Sequence, residues 1–396
     1  MKKIIAIFIA LVFIIPFFSQ ADKNKIERII NEVDENLLYS YVRTIQDFGE
    51  HPTGSEECEK VGQFIFNEFK KFGLETEYFE WTAEKYEGKN IIATLHGEDN
   101  SIVIISAHYD SYPTSPGADD DGSGIACLLM AAKIMSKYYF RHTIKFVAFS
   151  GEEQGMLGSK AYVSYLYEKG EDIIADLNVD TVGHAVSAEG GSLIRVITDE
   201  ASLWITDIAE EMSIKHNIGL SLYRHGNFPA GDHQPFIDYG YEAVFFVEYE
   251  FNTNMHTPND TVEHINKSYL GKVCKLILAT LAEIADKKFS LRIKFKEPKI
   301  GYLYFGNREI MKIGKTIVIG RIYSKVVALE NEGIKRIEFY FDGELKGFCY
   351  ELPGEYIYMD KAFLEHEIKA IAIGKENDIC RIKIFVINFL PAGPPH

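Results

Sequence analysis

The fold is decided by SIVIISAHYDSYPTSPGADDDGSGIACLLMAAKIM, residues 101–135 of the chain. An apolar run over residues 102–107 predicts a buried strand, and the apolar positions after residue 124 have helical spacing. Between the two runs lie His108 and the acidic triplet of residues 119–121. Because open α/β sheets bind ligands beyond the carboxyl ends of their strands, this order predicts an α/β fold with a polar site at a strand end.

The same alternation of strand and helix continues on both sides of this stretch. Short apolar runs predict further strands at residues 90–95, 143–149, 173–179, 193–198 and 243–247. Helical spacing is found at residues 26–48 (interrupted near residues 34–36), 57–72, 124–137, 159–168, 201–215 and 260–285. Near-continuous apolar strands separated by helices predict a mixed, mostly parallel central sheet that is flanked by helices.

Helical periodicity ends near residue 288, and strand-like runs dominate the rest of the chain. The dipeptide Asp342-Gly343 stands between two such runs and is a strong hairpin signal. We therefore predict three parts: a signal peptide at residues 1–21, an α/β domain at residues 22–288 and an all-β sandwich at residues 289–396.

The first 21 residues have the pattern of a secretory signal peptide. Lys2 and Lys3 precede an apolar run over residues 4–18, and the small residues Ser19 and Ala21 mark a cleavage site. We predict a secreted or cell-surface protein without a membrane span in the mature chain. The alternative is that the segment is retained as an N-terminal anchor, although the run is short for a membrane span.

The overall charge bears on partners, and the cysteines bear on cross-linking. The 396-residue chain has a formal net charge of −16, which argues against nucleic acid as a partner because phosphate contacts need basic patches. Five cysteines do not make a disulfide-dense scaffold. Cys349 and Cys380 share the C-terminal region and could pair in an oxidising compartment. The oligomeric state is left open.

Several polar residues follow predicted strands, and each has an ordinary explanation when taken alone. His108 is followed by Asp110, a carboxylate suited to orienting a metal-binding imidazole, although a lone pair of this kind is more often surface polarity. Two acids of the triplet around Asp120 could cap the next helix, but three adjacent carboxylates repel one another unless a cation offsets their charge. Asp180 and His256 are, singly, a turn residue and a loop residue.

Together these residues predict a metal site. The adjacent Glu152 and Glu153 can divide their work, one binding metal and the other moving protons. Two imidazoles and three carboxylates form a nitrogen and oxygen set that suits zinc. Two zinc ions about 3.5–4 Å apart, bridged by one carboxylate and a water, form the arrangement used by aminopeptidases.

Six motifs carry a resemblance to a known family: HYDS, PGADDDGSG, FSGEEQGMLGS, NVDTVG, GDHQPF and MHTPNDT. In identity and order they resemble the dizinc aminopeptidases of the aminopeptidase Y and bacterial leucyl aminopeptidase type, peptidase family M28, over about residues 26–285. The C-terminal region is similar, more weakly, to immunoglobulin-like modules of secreted prokaryotic enzymes. The family often has Ser before the Asp-His of GDHQPF, where this chain has Gly231.

The resemblance implies a role for each matching residue. Asp120 would bridge two zinc ions, and the peptide bond that follows it would be cis. The other predicted ligands are Glu153 and His256 for one ion and His108 and Asp180 for the other. Glu152 would be the general base that takes a proton from the bridging water and passes it to the leaving amine. Asp232 would help to orient the metal ligands without binding a metal itself.

The sequence thus predicts a secreted zinc exopeptidase whose substrates are peptides, most simply an aminopeptidase. A carboxypeptidase or dipeptidase remains possible, and Arg224 is a candidate contact for a substrate carboxylate. A single-zinc glutaminyl cyclase, an acyltransferase, is a second alternative that a metal count of one per chain would favour. The non-enzymatic alternative is an inactive adhesion or receptor-like protein on the same fold, although such proteins usually lose ligands.

Overall fold

The computed structural model describes residues 18–375 and 377–388. Residues 1–17, which make up most of the predicted signal peptide, lie outside this part of the chain. Within it, no helix has the length and apolar character needed to cross a bilayer.

The α/β domain is built on one eight-stranded sheet with the order β1-β2-β4-β3-β5-β8-β6-β7. Its strands are β1 Glu75–Ala83, β2 Tyr86–Leu95, β3 Ile102–His108, β4 Thr143–Phe149, β5 Ile173–Val179, β6 Leu193–Thr198, β7 Ser221–Gly226 and β8 Ala243–Glu248. The four strands β4, β3, β5 and β8 are neighbours and run parallel, whereas β1, β2 and the β8–β6 pair are antiparallel. The prediction of a mixed, mostly parallel sheet is confirmed.

Helices cover both faces of this sheet. Since alternate residues of a strand point to opposite sides, each central strand packs against helices on both faces. The helices are α1 Phe18–Asn31, α2 Glu35–Gln46, α3 Glu56–Lys71, α4 Gly122–Met135, α5 Leu157–Lys169, α6 Leu203–Lys215, α7 His233–Asp238 and α8 Lys267–Asp286. In β3, Val103 and Ile105 join one apolar core with α4 and α8, while Ile104 joins a second core with α5 and α7. The continuous apolar sequence of β3 follows from this double burial.

Two helix starts show where the sequence pattern was reliable and where it was not. The predicted interruption near residues 34–36 is confirmed, since the Asp34 side chain accepts hydrogen bonds from the first amides of α2. The prediction of a helix from residue 260 was wrong, because α8 begins at Lys267 after its cap Asn266. Asp260 instead lies in the preceding loop, where its carboxylate accepts hydrogen bonds from two backbone amides.

The C-terminal region is entirely β within the described residues, as predicted. Its strands are β9 Leu291–Glu297, β10 Tyr302–Phe305, β11 Arg308–Lys312, β12 Ile317–Ile319, β13 Ile322–Asn331, β14 Arg336–Phe341, β15 Glu344–Cys349, β16 Gly354–Tyr358, β17 Ala362–Ile373 and β18 Asn377–Asn388. A seven-stranded and a three-stranded sheet share one apolar core. Asp342 and Gly343 form the predicted turn between β14 and β15, both with positive φ. The immunoglobulin resemblance stays a prediction, and Cys349 and Cys380 are free thiols.

The predicted domain boundary after residue 288 falls in the segment between α8 and β9. Just beyond it, Arg292 of β9 donates hydrogen bonds to both carboxylate oxygens of Asp172, at 2.9 and 2.6 Å. The same carboxylate accepts from the hydroxyl of Ser101 at 2.9 Å. Since Ser101 and Asp172 directly precede β3 and β5, the β domain is fastened to the amino ends of the central strands.

Candidate active site

The predicted ligands follow the carboxyl ends of the four parallel neighbouring strands. His108 is the last residue of β3, Asp180 directly follows β5, and Glu153 lies four residues beyond Phe149, the last residue of β4. His256 lies in the loop after β8. Because parallel strands bring their carboxyl ends to one edge of the sheet, residues far apart in sequence meet there.

These side chains form two groups of three that share Asp120. The first group is His108, Asp120 and Asp180, and the second is Asp120, Glu153 and His256. Oδ1 of Asp120 lies 3.1 Å from Nε2 of His108, and its Oδ2 lies 3.0 Å from Nε2 of His256. Within each group the potential ligand atoms are all within 4.8 Å of one another. The structure thus brings together all five predicted ligands, with Asp120 between the two histidines.

The ring of His108 is held in the orientation that a metal ligand needs. Its Nδ1 lies 2.9 Å from the carbonyl oxygen of Asp110, and a carbonyl oxygen only accepts, so Nδ1 carries the proton. Nε2, which faces Asp120 and Asp180, would then supply the lone pair to a bound metal ion. The prediction assigned this orienting contact to the Asp110 carboxylate, but its Oδ1 is 3.7 Å from Nδ1 and the backbone makes the hydrogen bond instead.

The Asp110 carboxylate has a different task. It accepts hydrogen bonds from the hydroxyl of Thr53 at 2.9 Å and from the backbone amides of Glu152 and Glu153 at 3.3 Å each. Asp110 therefore holds His108 through its carbonyl group and the Glu152-Glu153 turn through its side chain. The role of Thr53 was not predictable from the sequence, because its contact with Asp110 spans 57 residues of chain.

The acidic triplet is divided among three environments rather than gathered on one cation. Asp119 accepts from the amide of Gly183 and the side chain of Asn252, while Asp121 caps α4 by accepting from the amide of Gly124. Only Asp120 points toward the histidines. Hydrogen bonds thus satisfy Asp119 and Asp121, and Asp120 is the member of the triplet that is placed as a potential ligand. The bond between Asp120 and Asp121 is cis, as the family resemblance implied.

Close packing in the first turn of α4 explains the glycine at position 124. A Cβ atom on Gly124 would lie 2.3 Å from the carbonyl oxygen of Val179 and 2.4 Å from Oδ1 of Asp121. Any larger residue would push the first turn of α4 away from the strand that ends beside Asp180. Gly124 thus sets the separation between the triplet and the end of β5.

The shifted pKa values of the buried carboxyl groups fit a site that binds cations. Burial and the neighbouring Asp120 raise the pKa of Glu153 to about 8. Burial also raises the pKa of Glu152 well above its usual range, and the charges of Asp232, Asp180 and Asp110 raise it further. For Asp120 burial acts in the same direction, but hydrogen bonds with His108 and His256 outweigh it and lower the pKa. Crowded carboxyl groups of this kind are stabilised as anions by divalent cations.

The donor set itself also fits zinc. Oε1 of Glu153 is buried and has no hydrogen-bond partner, although it lies 3.4 Å from Nε2 of His256. Such an orphaned oxygen is costly unless a ligand satisfies it. Imidazole nitrogens together with carboxylate oxygens are typical zinc ligands.

Asp232 lies beside the His108 half of the site rather than the His256 half. Its Oδ1 accepts a short hydrogen bond from the hydroxyl of Ser159, and burial raises its pKa to about 7. Its main charge interactions are with His108, Asp110 and Asp180. The hydroxyl that the family often places at Gly231 is thus absent, and α5 supplies one to Asp232 from Ser159.

The loop that carries His256 is fastened to the loop that carries Asp120. Asp260 accepts hydrogen bonds from the amides of Asp119 and Asp120, at 3.0 and 3.2 Å. The ring of Tyr112 stacks on the ring of His256, and the hydroxyl of Thr114 donates to the His256 carbonyl oxygen at 3.0 Å. The roles of Asp260, Tyr112 and Thr114 were not predicted, because these residues have no signal of their own in a single sequence.

Five potential ligands that converge at the carboxyl edge of such a sheet are the arrangement expected of a metal-dependent hydrolase. Comparison with known proteins agrees: residues 90–281 match the model of Peptidase family M28. The chain contains a domain of this family and is a metallopeptidase. The family implies zinc as the metal of the site.

Named relatives and solved structures are similar to about half to two thirds of the chain. Leucine aminopeptidase 1 of Ajellomyces capsulatus is 26% identical over 284 residues, which cover 66% of this chain and 74% of that protein. Aminopeptidase YwaD of Bacillus subtilis is 35% identical over 195 residues, which cover 47% of this chain and 42% of that protein.

Two solved structures share the fold at low sequence identity. BSAP, a zinc aminopeptidase from Bacillus subtilis, has a TM-score of 0.58 at 20% identity and covers 65% of this chain and 97% of its own. Glutaminyl cyclase of Bacteroides thetaiotaomicron has a TM-score of 0.56 at 19% identity and covers 65% and 99%. The fold alone therefore does not separate a peptidase from a cyclase.

Proposed function

We propose that this chain is a secreted zinc aminopeptidase that holds two ions and removes N-terminal residues from peptides. One observation carries the proposal: the two carboxylate oxygens of Asp120 face different histidines, His108 at 3.1 Å and His256 at 3.0 Å. A carboxylate placed in this way would be able to offer one oxygen to each of two ions. His108 and Asp180 would complete the coordination of one ion. Glu153 and His256 would complete the coordination of the other.

When bound, zinc would polarise the scissile carbonyl group and lower the pKa of water at the site. Glu152 belongs to neither ligand group, so its carboxylate is available to accept a proton from the attacking water and to return it to the leaving amine. Asp110 would position Glu152 by accepting a hydrogen bond from its amide.

The preference for N-termini is inferred from charge. Carboxylates crowd the site, and an acidic surrounding suits the α-ammonium group of a peptide better than its C-terminal carboxylate. Arg224, the candidate for a carboxypeptidase contact, pairs instead with Asp207 and Glu210 of α6. Acetylation of the peptide N-terminus should therefore abolish turnover, and equal rates on free and acetylated peptides would refute the aminopeptidase assignment.

Secretion is proposed from the N-terminal sequence alone. The basic residues Lys2 and Lys3, the apolar run and the small residues up to Ala21 are its support. The test is the N-terminal sequence of protein recovered from the medium of cells that express the full chain. A mature chain that begins after Ala21 is expected, and full-length protein retained in the membrane fraction would show an anchor.

The zinc content of the purified chain, measured together with its products, separates the main alternatives. Two ions per chain, release of amino acids from aminoacyl-nitroanilides and loss of activity with a chelator are expected. The cyclase alternative is kept because a cyclase shares the fold. It predicts one ion per chain and cyclisation of N-terminal glutamine without hydrolysis of nitroanilides.

A further inference from the structure

The two histidines of the site are supported in different ways. His108 is 1% exposed and its Nδ1 is fixed by the carbonyl oxygen of Asp110. His256 is 44% exposed at its side chain, and within the described residues no carbonyl or carboxylate accepts a hydrogen bond from its Nδ1. An imidazole ligand without such a bond needs another means of holding its ring.

The ring of Tyr112 supplies this means. The centroids of the Tyr112 and His256 rings are 4.4 Å apart and their planes differ by 12°, so the two rings are stacked face to face. Stacking fixes the plane of the imidazole while leaving both ring nitrogens at its edge, where Nε2 faces Asp120 and Glu153. Tyr112 is itself 40% exposed, so it lies at the open side of the site.

A second contact fixes the backbone at the same residue. His256 has a φ of 62°, in the left-handed region that non-glycine residues rarely adopt. The hydroxyl of Thr114 donates to the His256 carbonyl oxygen at 3.0 Å across 142 residues of chain. Tyr112 and Thr114 belong to the loop that connects His108 with Asp120, so both contacts tie the exposed ligand to the buried half of the site.

We propose that Tyr112 and Thr114 are positioning residues for the zinc ion that His256 would bind, with the Tyr112 ring in place of a hydrogen bond to Nδ1. This inference rests on the proposed two-ion function and adds to it the residues that keep the exposed ion in place. Tyr112 acts through His256 and need not touch the substrate.

The test is the zinc occupancy of each variant across a series of buffers with fixed free zinc. Tyr112→Ala should raise by about tenfold the free zinc concentration needed to fill the site of His256, because groups that orient metal ligands typically contribute 10- to 100-fold in affinity. The occupancy of the site of His108 should not change. Tyr112→Phe keeps the ring and should stay within about twofold of the unaltered chain, and Thr114→Val should show a smaller loss than Tyr112→Ala. Tyr139→Ala, which changes a side chain that is 91% exposed elsewhere, is the matched control.

Thermal unfolding of the zinc-free variants separates positioning from ordinary stabilisation. We expect Tyr112→Ala to unfold at the temperature of the unaltered zinc-free chain. Equal weakening of both ions, a loss for Tyr112→Phe as large as for Tyr112→Ala, or unchanged occupancy in Tyr112→Ala would overturn the inference while leaving two ions per chain intact. A single ion in the unaltered chain would overturn the two-ion proposal first and this inference with it.

Discussion

The two halves of the candidate site are built on different kinds of scaffold. His108 and Asp180 stand at the ends of β3 and β5 and are buried, whereas His256 stands on a loop and its side chain is 44% exposed. Strand ends in a covered sheet place a side chain through the packing of the whole domain. A loop leaves the ligand open to solvent, so its position depends on a few local contacts.

The halves are nevertheless joined through two aspartates. Asp120 contributes one carboxylate oxygen to each half, and Asp110 holds His108 with its carbonyl oxygen and the Glu153 amide with its carboxylate. The comparison therefore predicts that some substitutions affect both halves and others only one.

Asp120→Asn should have the largest effect, because it weakens both halves at once. We expect both zinc ions to be bound more weakly and turnover to fall by at least about 10⁴-fold, since each ion supplies several kcal/mol of transition-state stabilisation. Asp47→Asn, at the exposed C-terminus of α2, is the control. Retention of one ion at its original affinity would mean that Asp120 serves only one half.

Two adjacent glutamates offer a sharper contrast. Glu152→Gln should keep both ions and lower turnover by about 10² to 10⁴-fold, which is the usual contribution of a general base. Glu153→Gln should release the ion that Glu153 and His256 would bind together. Zinc content and turnover measured on both variants distinguish the proton-transfer role of Glu152 from the ligand role of Glu153. Full activity in Glu152→Gln would show that Glu152 is not the general base.

The histidines should differ in their effect on the metal-free protein. His108→Ala removes a buried ring and its hydrogen bond to Asp110, so we expect the free energy of unfolding to fall by about 1–3 kcal/mol. His256→Ala removes an exposed ring and should change it by less than about 0.5 kcal/mol. Chemical denaturation in the presence of a chelator measures both. Equal losses would show that burial does not distinguish the two halves.

Thr53→Val should have a modest effect that the two halves of the site share. This substitution removes one of the three hydrogen bonds to the Asp110 carboxylate and should lower the free energy of unfolding by about 1 kcal/mol. Because Asp110 contacts both halves, the affinities for both ions should fall by a similar factor. Loss at one ion alone would contradict the link that Asp110 makes between the halves.

The sequence predicted the strand-end ligands because each follows a run with a clear pattern of burial. It did not predict β1 and β7, since most side chains of β7 are exposed and its residues lack the continuous apolar pattern of the central strands. The start of α8 was also missed, because Asp260 resembles a helix cap and is used instead to hold the amides of Asp119 and Asp120.

The residues that hold the potential ligands in place could not be predicted from the sequence, for a different reason. Thr114 meets His256 across 142 residues, and Asp260 meets Asp119 across 141. These contacts depend on the conformation of two loops, which local patterns do not determine. Asp110 illustrates the same limit, because its proximity to His108 was predictable whereas the division of work between its carbonyl group and its carboxylate was not.

The bond between Arg292 and Asp172 lies at the opposite pole of the sheet from the metal ligands, with the full length of β5 between Asp172 and Asp180. The β domain therefore contacts the α/β domain at the amino ends of the central strands, away from the edge that carries the potential metal ligands. Substitutions at this junction should therefore leave the arrangement of the potential metal ligands unchanged.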